Sequence, residues 1–175
     1  MSKIGCHRRY HSHRHAIVEE DTGMKQAEDL RLAKEAIQQG WSACLARRGK
    51  IIDKEQGSRL QPVLGILKRQ VEKYGDLTGL QSSLAAEGYY AFADKVIGLA
   101  AFRLAYLLGA RAMWGELCSS LALEEARKRG VQLEYDNLVP AIMNQTQDDL
   151  CPMERMASEI ASDLEFYSKL TSRGR

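Results

Sequence analysis

The chain has 175 residues, 45% of them hydrophobic and 27% charged, with a formal net charge of +2. A chain of this length buries a core of its own, and these proportions exclude a wholly disordered polypeptide. So small a net charge gives no reason to expect a nucleic-acid or membrane partner, and the basic character is local, in Lys3, Arg8, Arg9 and Arg14.

Residues 1–23 read as a polar, histidine-rich tail, expected to be disordered, ahead of a single domain over residues 24–175. The tail carries all four histidines and has no apolar run of the kind a signal peptide needs. His11, His13 and His15 alternate, so in an extended chain they would face one side and hold a metal loosely, with Cys6 and His7 nearby.

The pattern turns helical from Lys25 to Gln39, where Leu30, Ala33 and Ile37 recur at helical spacing and Gly40 stops the run. Trp41 to Arg48 and Lys50 to Glu55 read as two strands of a tight hairpin about Gly49. A second helix starts near Gln61, with Pro62 in its first turn and Leu60, Val63, Leu64, Leu67 and Val71 on one face, and ends at Gly75. Asp76 to Glu87 reads as a short helix or an inserted loop.

Gly88 to Phe92 reads as extended, with Tyr89, Tyr90 and Phe92 as sheet residues. Asp94 reads as the N-cap of a helix that runs to Leu108 and closes on Gly109. Arg111 to Leu117 is the next strand, with Trp114 in the core, and Ser119 or Ser120 caps a helix that ends at Gly130. Val131 to Tyr135 is the fourth strand, and one long helix starts at Pro152 and buries Met156, Ile160, Leu164 and Tyr167. Helical crossovers between the later strands favour parallel neighbours with helices on both faces. The expectation is an α/β fold, a three-layer α/β/α sandwich around a small mixed sheet of about four strands.

Four cysteines, at positions 6, 44, 118 and 151, form no C-x-x-C pair, which suits reduced thiols in a cytoplasmic protein. The most apolar stretch, Val96 to Leu108, is interrupted by Arg103 and is too short to span a bilayer.

Three stretches, Ala93-Asp94-Lys95-Val96-Ile97-Gly98-Leu99-Ala100-Ala101, Leu133-Glu134-Tyr135-Asp136-Asn137-Leu138-Val139-Pro140 and Leu150-Cys151-Pro152-Met153-Glu154, carry a resemblance. Together they resemble an uncharacterised prokaryotic domain-of-unknown-function family with the cytidine-deaminase-like fold. The resemblance runs from about Gln26 to Glu165, and Asp76 to Tyr90 is longer than the family usually has there. It implies that fold and no activity.

Zinc-dependent deamination needs H-x-E or C-x-E followed by P-C-x-x-C, so that three ligands hold the metal and a glutamate sits beside its water. In the fold that the resemblance implies, the first motif opens the helix after the hairpin, where this chain has Ala93-Asp94-Lys95. The second follows the next strand, where Leu117-Cys118-Ser119-Ser120-Leu121 offers one thiol. No metal site is expected in the domain, and no cofactor is implied.

The candidate site residues are therefore of another kind. Cys151 precedes Pro152 at a helix start, where exposed N–H groups lower a thiol pKa, and it is the candidate catalytic residue. Its acidic neighbours Asp148, Asp149 and Glu154 work the other way, Glu154 sits where a capping-box acid belongs, and a half-buried packing residue is the plainer reading. Asp94, Lys95, Cys118, Asn144 and Asp148 are the candidate ligand-binding residues: the resemblance implies that Asp94 and Cys118 lie where the catalytic groups of deaminases sit, Lys95 follows Asp94, and Asn144 and Asp148 belong to the polar loop that feeds Cys151. The plainer readings are a helix cap for Asp94 and core packing for Cys44 and Cys118. The chain thus reads as a non-catalytic small-molecule binding or regulatory domain, with a nucleotide as one candidate ligand. The alternative is a thiol-dependent enzyme or redox sensor using Cys151. A homodimer is compatible with either.

Overall fold

Leu30, Ala33 and Ile37 bury the face that their spacing predicts, on a helix α1 that spans Ser12–Gln38. The computed structural model describes residues 12–172, with side chains from Lys25 onward. The tail expectation for residues 1–11 lies outside the described residues. From Ser12 the backbone is helical, so α1 begins well before Lys25. Good helix formers such as Glu, Ala, Met and Gln propagate a helix without any apolar stripe to announce it.

The hairpin is β1 (Ala43–Arg47) and β2 (Lys50–Glu55), antiparallel as expected. Arg48 and Gly49 both adopt positive φ, at 55° and 72°, as a tight two-residue turn requires. Asp29 of α1 secures this turn by accepting from the N–H groups of Arg48 at 2.9 Å and Gly49 at 2.7 Å. The next elements are α2 (Gln61–Tyr74) and α3 (Leu77–Glu87). The ambiguous segment after Gly75 is therefore helical, and Asp76 caps it by accepting from the Gly79 N–H at 2.7 Å.

Tyr90–Ile97 forms a strand, β3, and Asp94 lies inside it rather than at a helix N-cap. The following helix, α4 (Leu99–Leu108), starts after Gly98 and closes on Gly109 as expected. Asp94 is a poor strand former, so its presence there answers a demand other than propensity. The sheet accordingly has five strands, not four, adding β4 (Ala110–Ser119) and β5 (Gln132–Val139), with α5 (Ser120–Arg129) between them. The expected final helix divides into α6 (Pro152–Glu159) and α7 (Asp163–Ser172).

The strand order is β2-β1-β3-β4-β5, with β1 antiparallel to β2 and β3, and β3, β4 and β5 parallel. Successive residues of β3 enter different cores, as the pleat dictates. Ala91 and Ala93 pack with Cys44, Trp114 and α1, whereas Tyr90 and Phe92 pack with Leu45, Met113, α2 and α4. Helix α4 is buried along nearly its whole length. Its buried Arg103 reaches Asp163 at 2.6 Å and the carbonyls of Ala157 at 2.5 Å and Ala161 at 3.1 Å, and it also reaches Ile160. One guanidinium thus ties the α6–α7 corner to the core. Among the described residues, no helix is long and apolar enough to cross a membrane.

Candidate functional site

The C-terminal end of β3 opens into a cavity of about 740 Å³. Ligands favour this end of parallel strands, and the volume suits a small molecule. The cavity lies between the β2–α2 connection, the first turn of α4, the loop over residues 142–147 and the first turn of α6. Much of its wall is apolar, from Leu60, Val96, Ala100, Ala101, Ile142 and Met143.

Asp94 belongs to this wall and is only 4% exposed. Its cross-strand neighbours are small, Ala43 on β1 and Gly115 on β4. Oδ1 accepts from the Val96 N–H at 3.0 Å, and Oδ2 has no hydrogen-bond partner among the described residues. Burial pushes the carboxyl up to about 8, against the opposing pull of the Val96 N–H and the Lys95 charge.

Two cations share the wall. Lys95 follows on β3, and Arg59 stands in the β2–α2 connection with φ 59°. Both are exposed, and neither forms an ion pair among the described residues. The connection that carries Arg59 is fixed by Ser42, whose hydroxyl donates to the Gly57 carbonyl at 2.9 Å and accepts from its N–H at 3.1 Å.

Beneath the cavity, Glu154 of α6 is 2% exposed. Its Oε1 accepts from the Leu99 N–H and the Ser119 hydroxyl, each at 2.9 Å, and its Oε2 accepts from the Ala100 N–H at 3.2 Å. Ser119 in turn caps α5 by accepting from the Ala122 N–H at 3.1 Å. One carboxylate therefore serves the starts of two helices, where unpaired N–H groups and the helix dipole favour negative charge. Gly98 makes this possible: a Cβ there would lie 2.6 Å from Glu154 Oε2 and 2.7 Å from Ile142 Cγ1. Glu154 was expected to cap its own helix, and instead caps α4 from a distance in sequence.

Four of the expected site residues, Asp94, Lys95, Asn144 and Cys151, meet at the cavity. Asp148 is outside its lining and braces the loop, accepting from Asn144 Nδ2 at 2.7 Å and from Thr146 Oγ1. Cys118 lies in the hydrophobic core, fully buried, with its thiol pushed up to about 12 by burial and then by the Glu154 charge. Cys44 is buried on the opposite face, its thiol raised to about 11 mainly by burial, as its packing role predicts. Cys151 stands at the N-cap of α6, half-buried, with no hydrogen bond from its side chain to the helix N–H groups. Its neighbour Asp149 is held by Arg155 at 2.7 Å.

Sequence reasoning missed Arg59 and the role of Glu154. Only the Gly57-Ser58-Arg59 loop, with a cation between turn residues, hinted at the first. A zinc ion of the kind a deaminase-like fold carries does not fit these residues. The Glu154 carboxylate is engaged by three donors, Cys118 is sealed in the core, and no cluster of three metal-ligating side chains exists among the described residues.

The fold and site define an α/β domain with a half-open cavity at the C-terminal end of β3. Residues 32–172 match the family TM1506, a domain of unknown function (DUF1893), and the chain belongs to that family. It is also similar to the crystal structure of a DUF1893 family protein, TM1506, from Thermotoga maritima, at 21% identity and a TM-score of 0.64. That match covers 83% of this chain and 90% of the other. No curated protein matches the chain.

Proposed function

We propose that this chain is a non-catalytic domain that binds a small molecule of the nucleotide class in the β3 cavity. The observation that carries the reading is Oδ2 of buried Asp94, without a hydrogen-bond partner among the described residues, in the same wall as the cations Arg59 and Lys95, which form no ion pair among them. A buried polar atom without a partner costs about 1–3 kcal/mol, a cost that binding of a ligand removes. The apolar wall suits a ring, the loop amide of Gln145 suits a polar edge, and the two cations suit a phosphate.

The reading of the fold as a three-layer sandwich of the cytidine-deaminase type is part of the proposal. It is supported by the 2-1-3-4-5 strand order and by helices packed on both faces. On that reading, Glu154 occupies the place where the two helix starts of an active deaminase converge on its metal. A reducing, cytoplasmic setting suits the free thiols Cys44, Cys118 and Cys151.

A thermal-shift screen of nucleosides and nucleotides tests the reading. A ligand with a Kd of about 10 µM, supplied at 1 mM, stabilises by about 2.7 kcal/mol. For a domain of this size that is a rise in Tm of roughly 5–10 °C. No shift from any nucleotide at millimolar concentration rejects it. A second reading, a thiol-dependent enzyme or redox sensor, is favoured by the presence of Cys151 in the wall of the same cavity. Protection of Cys151 from alkylation by a bound nucleotide supports a shared site, whereas turnover abolished by Cys151→Ser supports the thiol chemistry.

A further inference from the structure

Three buried side-chain atoms lack a hydrogen-bond partner among the described residues: Gln70 Oε1, Tyr90 Oη and Asp94 Oδ2. Of these three residues only Asp94 belongs to the cavity wall. The charged and titratable side chains that share this wall are Arg59, Lys95, Cys151 and Glu154. Glu154 is committed to Leu99, Ala100 and Ser119, and the two cations are exposed. The flanking strands set Ala43 and Gly115 beside Asp94, so neither brings it a charge. Burial without a counter-ion in hydrogen-bonding reach favours the uncharged acid.

In that form Oδ1 keeps the Val96 N–H bond as a carbonyl oxygen, and the proton sits on the free oxygen, Oδ2. We propose that Asp94 recognises the occupant of the cavity as a neutral hydrogen-bond donor, its Oδ2–H pairing with a carbonyl oxygen or an unprotonated ring nitrogen. The ligand class is thus narrowed to acceptor-bearing heterocycles. The inference rests on the cavity being a binding site, as proposed above. The raised pKa, about 8, agrees with it, since the acid then stays protonated at neutral pH. A neutral carboxylic acid held in an apolar site is an established kind of hydrogen-bond donor.

The test uses the full chain and two probes, N-methylpyrrolidone, which only accepts hydrogen bonds, and pyrrole, whose N–H only donates. Binding is read at pH 6.5 and pH 9.5 from the methyl resonances of Ala100, Ala101 and Met143 in the cavity wall. N-methylpyrrolidone is expected to bind the wild type at pH 6.5 and at least fivefold more weakly at pH 9.5. Asp94→Asn, whose amide supplies a donor that does not titrate, is expected to bind it equally at both values. Asp94→Ala is expected to be at least fivefold weaker throughout, and pyrrole to show the opposite pH trend on the wild type.

Equal binding to wild type and Asp94→Ala, a wild type insensitive to pH, or no probe in the cavity at all overturns the inference. If Asp94→Ala fails to fold, the comparison of wild type with Asp94→Asn across pH decides alone. Nucleotides that fail to bind while N-methylpyrrolidone behaves as expected remove the nucleotide reading and leave this one standing.

Discussion

The carboxylate of Glu154 accepts a hydrogen bond from the hydroxyl of Ser119 at 2.9 Å, which joins the start of α5 to a residue of α6. With its bonds to Leu99 and Ala100, it makes the floor of the cavity a single polar junction. Glu154→Ala would strand two backbone donors at the start of α4 and the Ser119 hydroxyl in a buried space. Each buried group left unpaired costs about 1–3 kcal/mol. A loss of about 3–5 kcal/mol in urea denaturation is expected, and Glu154→Gln, which keeps one acceptor oxygen, should lose less. Equal stability of Glu154→Ala and wild type would show that the junction does not matter to the fold.

Gly98 has no room for a side chain, because an added Cβ meets both Glu154 Oε2 and Ile142 Cγ1 below 3 Å. Its φ of −85° is ordinary, so the constraint is contact rather than backbone conformation. Gly98→Ala is expected to cost about 1–3 kcal/mol by overpacking. The same denaturation experiment reads this, and unchanged or increased stability contradicts it.

The fold's elements were legible to very different degrees. The hairpin, α2, α4's closing glycine and α5 announced themselves through Gly49, Pro62, Gly109 and Gly130, residues whose backbone chemistry is local. β3 announced only its first residues, Tyr90 to Phe92, and its continuation through Asp94 to Ile97 was hidden because aspartate is a poor strand former and a good helix cap. The early turns of α1 were silent for a related reason, since no apolar stripe marks them. Of the candidate site, Asp94, Lys95 and Cys151 were legible as residues of expected helix starts, and Asn144 as part of the polar loop that leads to Cys151. Glu154's partners lie some 35 to 55 positions away, a distance that no local pattern reports.

The Asp94 carboxyl gives stability a definite pH dependence. Its folded pKa, about 8, lies above the ordinary 3.8, so the folded state binds the proton more tightly than the unfolded state. The contribution is complete below the ordinary value and is lost as pH rises toward and through about 8. Wild-type stability relative to Asp94→Asn is therefore expected to fall steadily between pH 5 and pH 9. Paired urea titrations across that range check it, and parallel curves for the two proteins contradict it.

The thiols differ in access as well as in pKa. Cys44 and Cys118 are fully buried with raised pKa values, whereas Cys151 is half-buried at the cavity. Iodoacetamide at pH 7.5 is expected to label Cys151 in the folded protein at least tenfold faster than Cys44 or Cys118. Peptide mapping by mass spectrometry reads the order, and faster labelling of Cys118 would contradict its place in the core.

Arg103 makes four polar contacts in the α6–α7 corner while almost fully buried. Arg103→Met removes the charge but leaves Asp163 and three carbonyls without this partner, although Arg129 still reaches Asp163 at 3.2 Å. A loss of about 3–5 kcal/mol is expected, on the scale of breaking other buried pairs. Arg103→Lys should rescue only part of it, since an ammonium cannot span the fork of acceptors. Full rescue by lysine in thermal denaturation contradicts the geometry.

The β3 cavity, with Arg59 and Lys95 in its wall, is the proposed site for an anionic ring-bearing molecule. Isothermal titration of the full chain with uridine and with uridine 5′-monophosphate, on wild type and on the double variant Arg59→Ala/Lys95→Ala, tests it most directly. The wild type is predicted to bind the monophosphate at least tenfold more tightly than the nucleoside, and the double variant to bind the two alike. Identical monophosphate affinity in both proteins, or no heat from either compound at millimolar concentration, contradicts it.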